Sequence, residues 1–453
     1  MRRVLFIAYY FPPGGGAGAQ RPLKFVQDLP SEGFLPVVVT APALIEDRWA
    51  PQDATLMTEI PANIPVCRVE GPAPAPGSKL RRRLERWLWL PSSFSNWWVR
   101  SATEAASIAA IGASLIFATM SPFESAEVAA ELSQRLGVPW VADLRDPWAL
   151  DEMTIYATLL HRKFEMAKMQ KLLSSAAIIV MNTPEAAASL KAAFPRLRSK
   201  DIRTITNGFD AADFVNGVAP RTDTKFRIVH TGYLHTEMGF RLRRRPFDRL
   251  FGGAERGVDI LTRSHAILLE AVERWCEHQP EVGNDLEIVF AGVTSDQDRA
   301  LAGNSKIASL IRFTGYISHS ESLRLVRSAD LLFLPMQNLL PGRRSRIVPG
   351  KTYEYMASGR PILAAVPDGD ARDFLSQTGT GLICRPDDTT GMIRILNRVY
   401  AAWKSGQSIV AHNVDFVAQF ERRKLTRALA DAFRTLLAEE ADRELSAINR
   451  PTF

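Results

Sequence analysis

The sequence predicts an α/β protein built from two doubly wound domains, each a parallel sheet covered by helices on both faces. Three observations carry this expectation. Short apolar runs bounded by turn residues alternate with helix-period stretches along nearly the whole chain, which is how strands buried on both faces read. The alternation pauses once, across residues 215–225, and then resumes. At 453 residues the chain is also longer than one core ordinarily organises.

In the first half the strand-like runs are residues 4–7, 37–39, 115–117, 140–143 and 177–180. The opening charges Arg2 and Arg3, the apolar run behind them, and the small residues Ala17 and Ala19 imitate a secretory leader. The run is short and meets Pro12-Pro13 and a glycine cluster, so it reads as a first buried strand. Helical patterns at 20–29, 124–136 and 183–194 separate these runs. A first domain over 1–210 follows, then a polar linker over 211–225 containing Gly217 and Pro220. A second domain over 226–405 places strands at 226–231, 286–290, 311–313, 331–334 and 361–364. In the closing segment, 406–453, Phe416, Phe420, Leu425, Leu429, Phe433 and Leu436 form a stripe at helical spacing. That stripe predicts a packing helix returning to the first domain.

Composition narrows the function classes. With 46% hydrophobic and 23% charged residues the chain can bury a sizeable core and is not a disordered one. Cys67, Cys276 and Cys384 are too few and too scattered for a disulfide framework or a zinc site, which points to a reducing, cytoplasmic setting. No run approaches the roughly 20 apolar residues that span a bilayer. The net charge of +7 favours anionic partners without choosing among phosphates, nucleic acid and acidic lipid.

The cluster Gly14-Gly15-Gly16-Ala17-Gly18-Ala19 lies between a strand and a helix, where backbone can approach a ligand closely. A nicotinamide dinucleotide site would also need an acid at the end of the second strand, but Val39 is followed by Thr40-Ala41-Pro42. That reading is set aside; a ligand-facing turn and a purely structural turn both stand. Later, Gly350 opens a helix over 352–357, and Gly359 with Pro361 closes it before the strand at 361–364. Glu354 falls on its first turns, and Lys351 beside its start.

Taken together, residues 11–16 with Gln20-Arg21, the stretch 142–148 (Ala-Asp-Leu-Arg-Asp-Pro-Trp), Thr206-Asn207-Gly208-Phe209-Asp210, Ser328-Ala329-Asp330, and residues 349–362 resemble the retaining glycosyltransferases of family 4. Those enzymes adopt the GT-B fold of two Rossmann-like domains with an interdomain cleft. The resemblance implies a nucleotide-sugar co-substrate, a UDP- or GDP-sugar, with no cofactor and no metal. It implies donor contacts at Gly15, Gly16, Gly232, Tyr233, Arg263, Lys351, Thr352 and Glu354, the glutamate holding the ribose hydroxyls. Arg263 lies in the register of the family's second cation, eight residues before Ala271. Arg256-Gly257 imitates that motif less well. Asp143, Arg263, Lys351 and Glu354 are the catalytic candidates; Ser121, Arg145 and Asp146 are the acceptor-side ones. Arg145 with Asp146 reads equally as a local ion pair.

The sequence departs from the family at Arg346, where many members carry a first glutamate, and the loop 338–348 holds no acid. Ser121 stands where many relatives have a histidine. The resemblance therefore predicts transfer with retention to a glycan or lipid-linked acceptor in cell-surface polysaccharide or glycoconjugate synthesis. A noncatalytic sugar-nucleotide-binding scaffold and a sugar-nucleotide epimerase are the alternatives. The stretch 79–98 mixes cations with Leu80, Leu84, Trp87, Leu88, Phe94, Trp97 and Trp98, a composition suited either to anionic membrane or to buried packing. Arg241, Arg243, Arg244, Arg245 and Arg249 form a second basic run, but neither run accompanies a nucleic-acid module, so nucleic acid is not expected as a partner.

Overall fold

A computed structural model of the chain describes residues 1–43, 51–71, 73–74, 78–88, 92–215, 221–244 and 251–448. Arg245, Arg249 and linker residues 216–220 lie outside the described residues. The chain divides into two compact units. The first comprises residues 1–150, 163–207 and 422–453, and the second residues 151–162 and 208–421.

The first unit holds a seven-stranded parallel sheet in the order β3-β2-β1-β4-β5-β6-β7. Its strands are β1 (Arg2–Ala8), β2 (Phe34–Thr40), β3 (Val66–Arg68), β4 (Ala113–Met120), β5 (Trp140–Leu144), β6 (Ile178–Met181) and β7 (Asp201–Thr204). The opening run is an interior strand, paired with β2 on one side and β4 on the other. Its side chains divide between the two faces of the sheet: Leu5 and Ile7 enter one apolar cluster, Val4 and Phe6 the other. Burial on both faces is why the run is continuous rather than alternating.

The second unit repeats the plan with six parallel strands in the order β10-β9-β8-β11-β12-β13. These are β8 (Phe226–Thr231), β9 (Leu286–Ala291), β10 (Ile311–Gly315), β11 (Leu331–Pro335), β12 (Ile362–Ala365) and β13 (Gly381–Cys384). Again Ile228 and Phe333 face one cluster, Val229 and Leu334 the other.

Three strands are absent from the sequence expectation: β3, β7 and β13. All three are edge strands of three or four residues, partly exposed; Val-Cys-Arg and Asp-Ile-Arg-Thr are interrupted by charge, and Gly-Leu-Ile-Cys offers only a three-residue apolar run behind a glycine.

The terminal stripe is not one helix. Phe416 and Phe420 pack in the second unit, on the short turns Val414–Val417 and Ala418–Phe420. The helix Arg422–Ile448 then begins, and its Leu429, Phe433 and Leu436 fill the core of the first unit, where Phe433 meets Phe34 and Phe117 edge-on.

Candidate functional site

In the second unit the C-terminal end of β8 carries Gly232, at φ +94°. Its N–H donates to the Ala291 carbonyl at 2.7 Å, and Gly292, at φ +132°, lies so close that a Cβ there would stand 2.9 Å from the Gly232 oxygen. Only glycines admit this approach of two strand ends. Above Gly232 sits the Lys351 ammonium: a Cβ at 232 would be 3.0 Å from Lys351 Nζ. The lysine is the first residue of the helix Lys351–Ala357, which Tyr355 ties to β8 by accepting the Thr231 N–H at 2.8 Å. Burial pushes the Tyr355 hydroxyl pKa up, so the phenol stays protonated.

Lys351 Nζ is 3.0 Å from His230 Nε2. The other ring nitrogen of His230, Nδ1, lies 3.0 Å from the Phe333 carbonyl. A carbonyl only accepts, so Nδ1 carries the proton and Nε2 is the acceptor facing the lysine. Burial first, and the Lys351 charge second, hold the His230 pKa well below its ordinary value, which keeps the ring neutral. Burial, followed by the nearby Arg263 charge, brings Lys351 down to about 7, with Glu354 opposing the shift. Glu354 is on the same helix, its side chain mostly buried and its Oε1 4.0 Å from His319 Nδ1. Thr352 is fully buried and Tyr233 half-buried.

The structure therefore brings Gly232, Arg263, Lys351 and Glu354 together, and Arg256 is exposed. His230, His319 and Gln337 were not expected here. His230 precedes Gly232 by two residues on a strand, and a strand histidine carries no signal of its own in sequence.

The loop 338–348, acid-free in sequence, receives acids from elsewhere in the unit. Arg346 Nη2 donates to Glu255 Oε1 at 2.7 Å, and Glu255 also takes Arg162 at 2.9 Å and Arg343. Burial alone would raise the Glu255 pKa, but Arg162 and Arg346 outweigh it and hold the carboxyl below its ordinary value. Glu152 Oε1 accepts from Ser345 Oγ at 2.6 Å and from the Arg346 N–H at 3.3 Å.

In the first unit the glycine cluster is a knitted turn. Gly15 donates its N–H to Pro51 at 2.6 Å, and Gly16, at φ +80°, heads the helix Ala17–Asp28. Arg145 packs flat against it: Nη1 donates to the Gly18 carbonyl at 2.6 Å and a Cβ at 18 would meet that nitrogen at 2.5 Å. Its guanidinium carbon lies 5.0 Å from the centre of the Tyr10 ring, and Nη2 reaches the Ser121 carbonyl at 3.5 Å. Arg145 and Asp146 approach only to 3.8 Å, and Asp146 is half exposed.

Asp143 is placed as an anchor rather than as a presented catalytic carboxylate. It is 0% exposed; Arg21 binds it through Nε and Nη2, the latter at 2.7 Å, and Thr119 Oγ1 donates to it at 2.8 Å. Arg21 continues to the carbonyls of Ile205 at 2.9 Å and Thr206 at 2.7 Å. The pair thus ties the first helix, β4, β5 and the end of β7 together.

In the stretch 79–98 the two readings divide by helix. On Lys79–Leu88, Leu80, Leu84, Trp87 and Leu88 are all exposed along one face, with Arg81 and Arg82 exposed beside them. On the helix Ser93–Ala109, Trp98 is fully buried and hydrogen-bonded to Ser125, and Phe94 and Trp97 pack on the core.

Residues 260–402 match the family of group 1 glycosyl transferases, a stretch that contains Arg263, Lys351 and Glu354. No curated protein sequence matches the chain. Solved structures resemble it over nearly its whole length. Sucrose-phosphate synthase from Thermosynechococcus elongatus has a TM-score of 0.66 at 16% identity, covering 97% of this chain and 100% of its own. Anabaena HepE in complex with UDP and glucose has a TM-score of 0.60 at 14% identity, covering 96% and 100%. A putative UDP-N-acetylglucosamine 2-epimerase from Listeria monocytogenes has a TM-score of 0.56 at 14% identity, covering 97% of each chain. At these identities the likeness defines the fold: two parallel-sheet α/β units of the kind found in GT-B glycosyltransferase structures. Among the described residues, no helix is long and apolar enough to cross a membrane.

Proposed function

We propose that the chain is a nucleotide-sugar-dependent glycosyltransferase acting with retention, and that its second unit holds the donor. The observation that carries this reading is the Lys351 ammonium poised over Gly232, with Arg263 beside it and Glu354 one turn along the same helix. A bare backbone at a strand end with two cations above it suits a diphosphate, and a carboxylate nearby suits ribose hydroxyls. The UDP and glucose bound in the HepE structure are consistent with a UDP-sugar, and a GDP-sugar satisfies the same chemistry.

In the reaction proposed here, the acceptor hydroxyl bonds to the anomeric carbon on the face from which the nucleoside diphosphate departs, and its proton passes to the leaving phosphate. The chain's own contribution is to hold the charge developing on that phosphate. Arg263 and Lys351 supply it, in surroundings where water is scarce and a fixed charge is worth most. The acceptor is a glycan or lipid-linked glycan received by the first unit near Ser121, Arg145 and Asp146. The exposed apolar face of Lys79–Leu88 lets the protein rest on anionic membrane where such acceptors reside.

Incubation with a panel of UDP- and GDP-sugars tests the reading. Release of nucleoside diphosphate, by transfer or slow hydrolysis, is the expected result. Interconversion of donors without release would instead identify an epimerase, and binding without turnover a scaffold.

A further inference from the structure

Glu152 is the second residue of the short stretch 151–162, which belongs to the second unit although residues 150 and 163 on either side belong to the first. Its side chain is 0% exposed. A buried carboxylate is costly unless hydrogen bonds or a partner charge compensate it. Here the compensation is one-sided. Oε1 accepts from Ser345 Oγ at 2.6 Å, Gln337 Nε2 at 2.9 Å and the Arg346 N–H at 3.3 Å. Oε2 has no hydrogen-bond partner among the described residues, its nearest cation being Arg346 Nε at 4.0 Å. The Arg346 guanidinium is turned to Glu255 instead. A plain ion pair with Arg346 therefore does not account for Glu152.

Its effect falls on Gln337, also fully buried. The Gln337 amide group donates to Glu152 Oε1 and to Ser345 Oγ at 3.1 Å, so its carbonyl must face the opposite way; the flipped amide would set oxygen against carboxylate. That carbonyl accepts Arg263 Nη1 at 3.1 Å, and Met153 Sδ, one residue from Glu152, touches the same nitrogen at 2.8 Å. The inserted stretch thus dictates where the Arg263 guanidinium sits.

We propose that Glu152 is a positioning residue for the donor site: through Gln337 it fixes Arg263 in the place where the donor diphosphate is held. The inference rests on reading the Arg263–Lys351 cluster as that site. It also gives the acid-free loop a buried negative charge from outside its own sequence, delivered at the backbone of the position that Arg346 occupies.

The test uses the full chain and the variants Glu152→Gln, Gln337→Met and their combination, each checked for folding by circular dichroism. Two quantities are read: affinity for UDP and GDP by calorimetry, and the pH midpoint of Lys351 in ligand-free protein by competitive acetylation. Since Arg263 helps hold Lys351 down, releasing the guanidinium lets that midpoint rise, a change that mere loss of stability does not produce. Each single variant is expected to raise the midpoint and weaken nucleotide binding about tenfold, with the double variant no worse than the stronger single one. If Glu152→Gln does not fold, Gln337→Met reads the same relay. A wild type that binds UDP or GDP while the variants bind equally well and titrate unchanged overturns this inference alone. A wild type that binds neither overturns the donor reading, and the inference falls with it.

Discussion

Lys351 donates from Nζ to Nε2 of a neutral His230 across 3.0 Å, so the cation meant for a phosphate shares its proton with a ring that cannot keep one. With its pKa near 7, the ligand-free amine is largely neutral above that pH, whereas a bound diphosphate selects the ammonium form. Nucleotide binding is therefore expected to take up a proton above about pH 7 and to weaken as pH rises from there towards 10.5. Calorimetry at pH 8 in buffers of different ionisation enthalpy reads this directly; an enthalpy independent of buffer contradicts it.

The same group sets a stability trend in the ligand-free protein. Between about 7 and 10.5 the unfolded chain holds a proton on this lysine that the folded chain has released, so stability rises with pH across that window. At or below pH 7 the full burden of the buried charge is present. Lys351→Met is expected to raise the melting temperature at pH 7 while removing the upward shift that nucleotide gives the wild type.

Gly232→Ala should damage the same place from the backbone side. At φ +94° an L-residue is strained by about 1–3 kcal/mol, and the added methyl meets Lys351 Nζ at 3.0 Å. The flexible amine can yield, so the protein is expected to fold with lowered stability and weakened nucleotide affinity. Unchanged affinity in the folded variant would show that the amine does not need to sit over position 232.

Arg21→Met is expected to act on the first unit's stability. It leaves Asp143 buried with Thr119 as its one side-chain partner among the described residues, which costs about 3–5 kcal/mol for a broken buried pair. Chemical denaturation measures it, and a loss under about 1 kcal/mol would mean the pair contributes no more than an exposed one.

Trp87→Asp with Leu84→Asp places two charges on the exposed face of Lys79–Leu88 without touching a core. Sedimentation with phosphatidylglycerol-containing vesicles is expected for the wild type and lost in the variant, with the melting temperature unchanged. Equal sedimentation of both would remove this helix from membrane contact.

Central strands were legible because burial on both faces forces a continuous apolar run, as at Val4-Leu5-Phe6-Ile7 and at residues 331–334. The edges β3, β7 and β13 were not, since a strand paired on one side only can be short and broken by charge or glycine, whereas the edge β10 kept Ile311 and Phe313 and was legible. Local chemistry likewise placed Gly350, Lys351 and Glu354 on one turn and helix, as found. Tertiary partnerships stayed hidden: Glu152 reaches Ser345 and Gln337 across nearly two hundred residues because residues 151–162 join the other unit. Asp143 illustrates the converse, an acid at a strand end that suggested chemistry and serves as an anchor for Arg21.

The central claim is that the second unit grips a nucleoside diphosphate between Gly232 and Lys351. Calorimetric titration of UDP and of GDP into the wild type and Lys351→Met tests it most directly. The expected result is saturable binding of one of the two nucleotides by the wild type and a loss of about 10²-fold in the variant, the scale of removing a principal charge-stabilising group. Binding of neither nucleotide, or equal binding by both proteins, would contradict it.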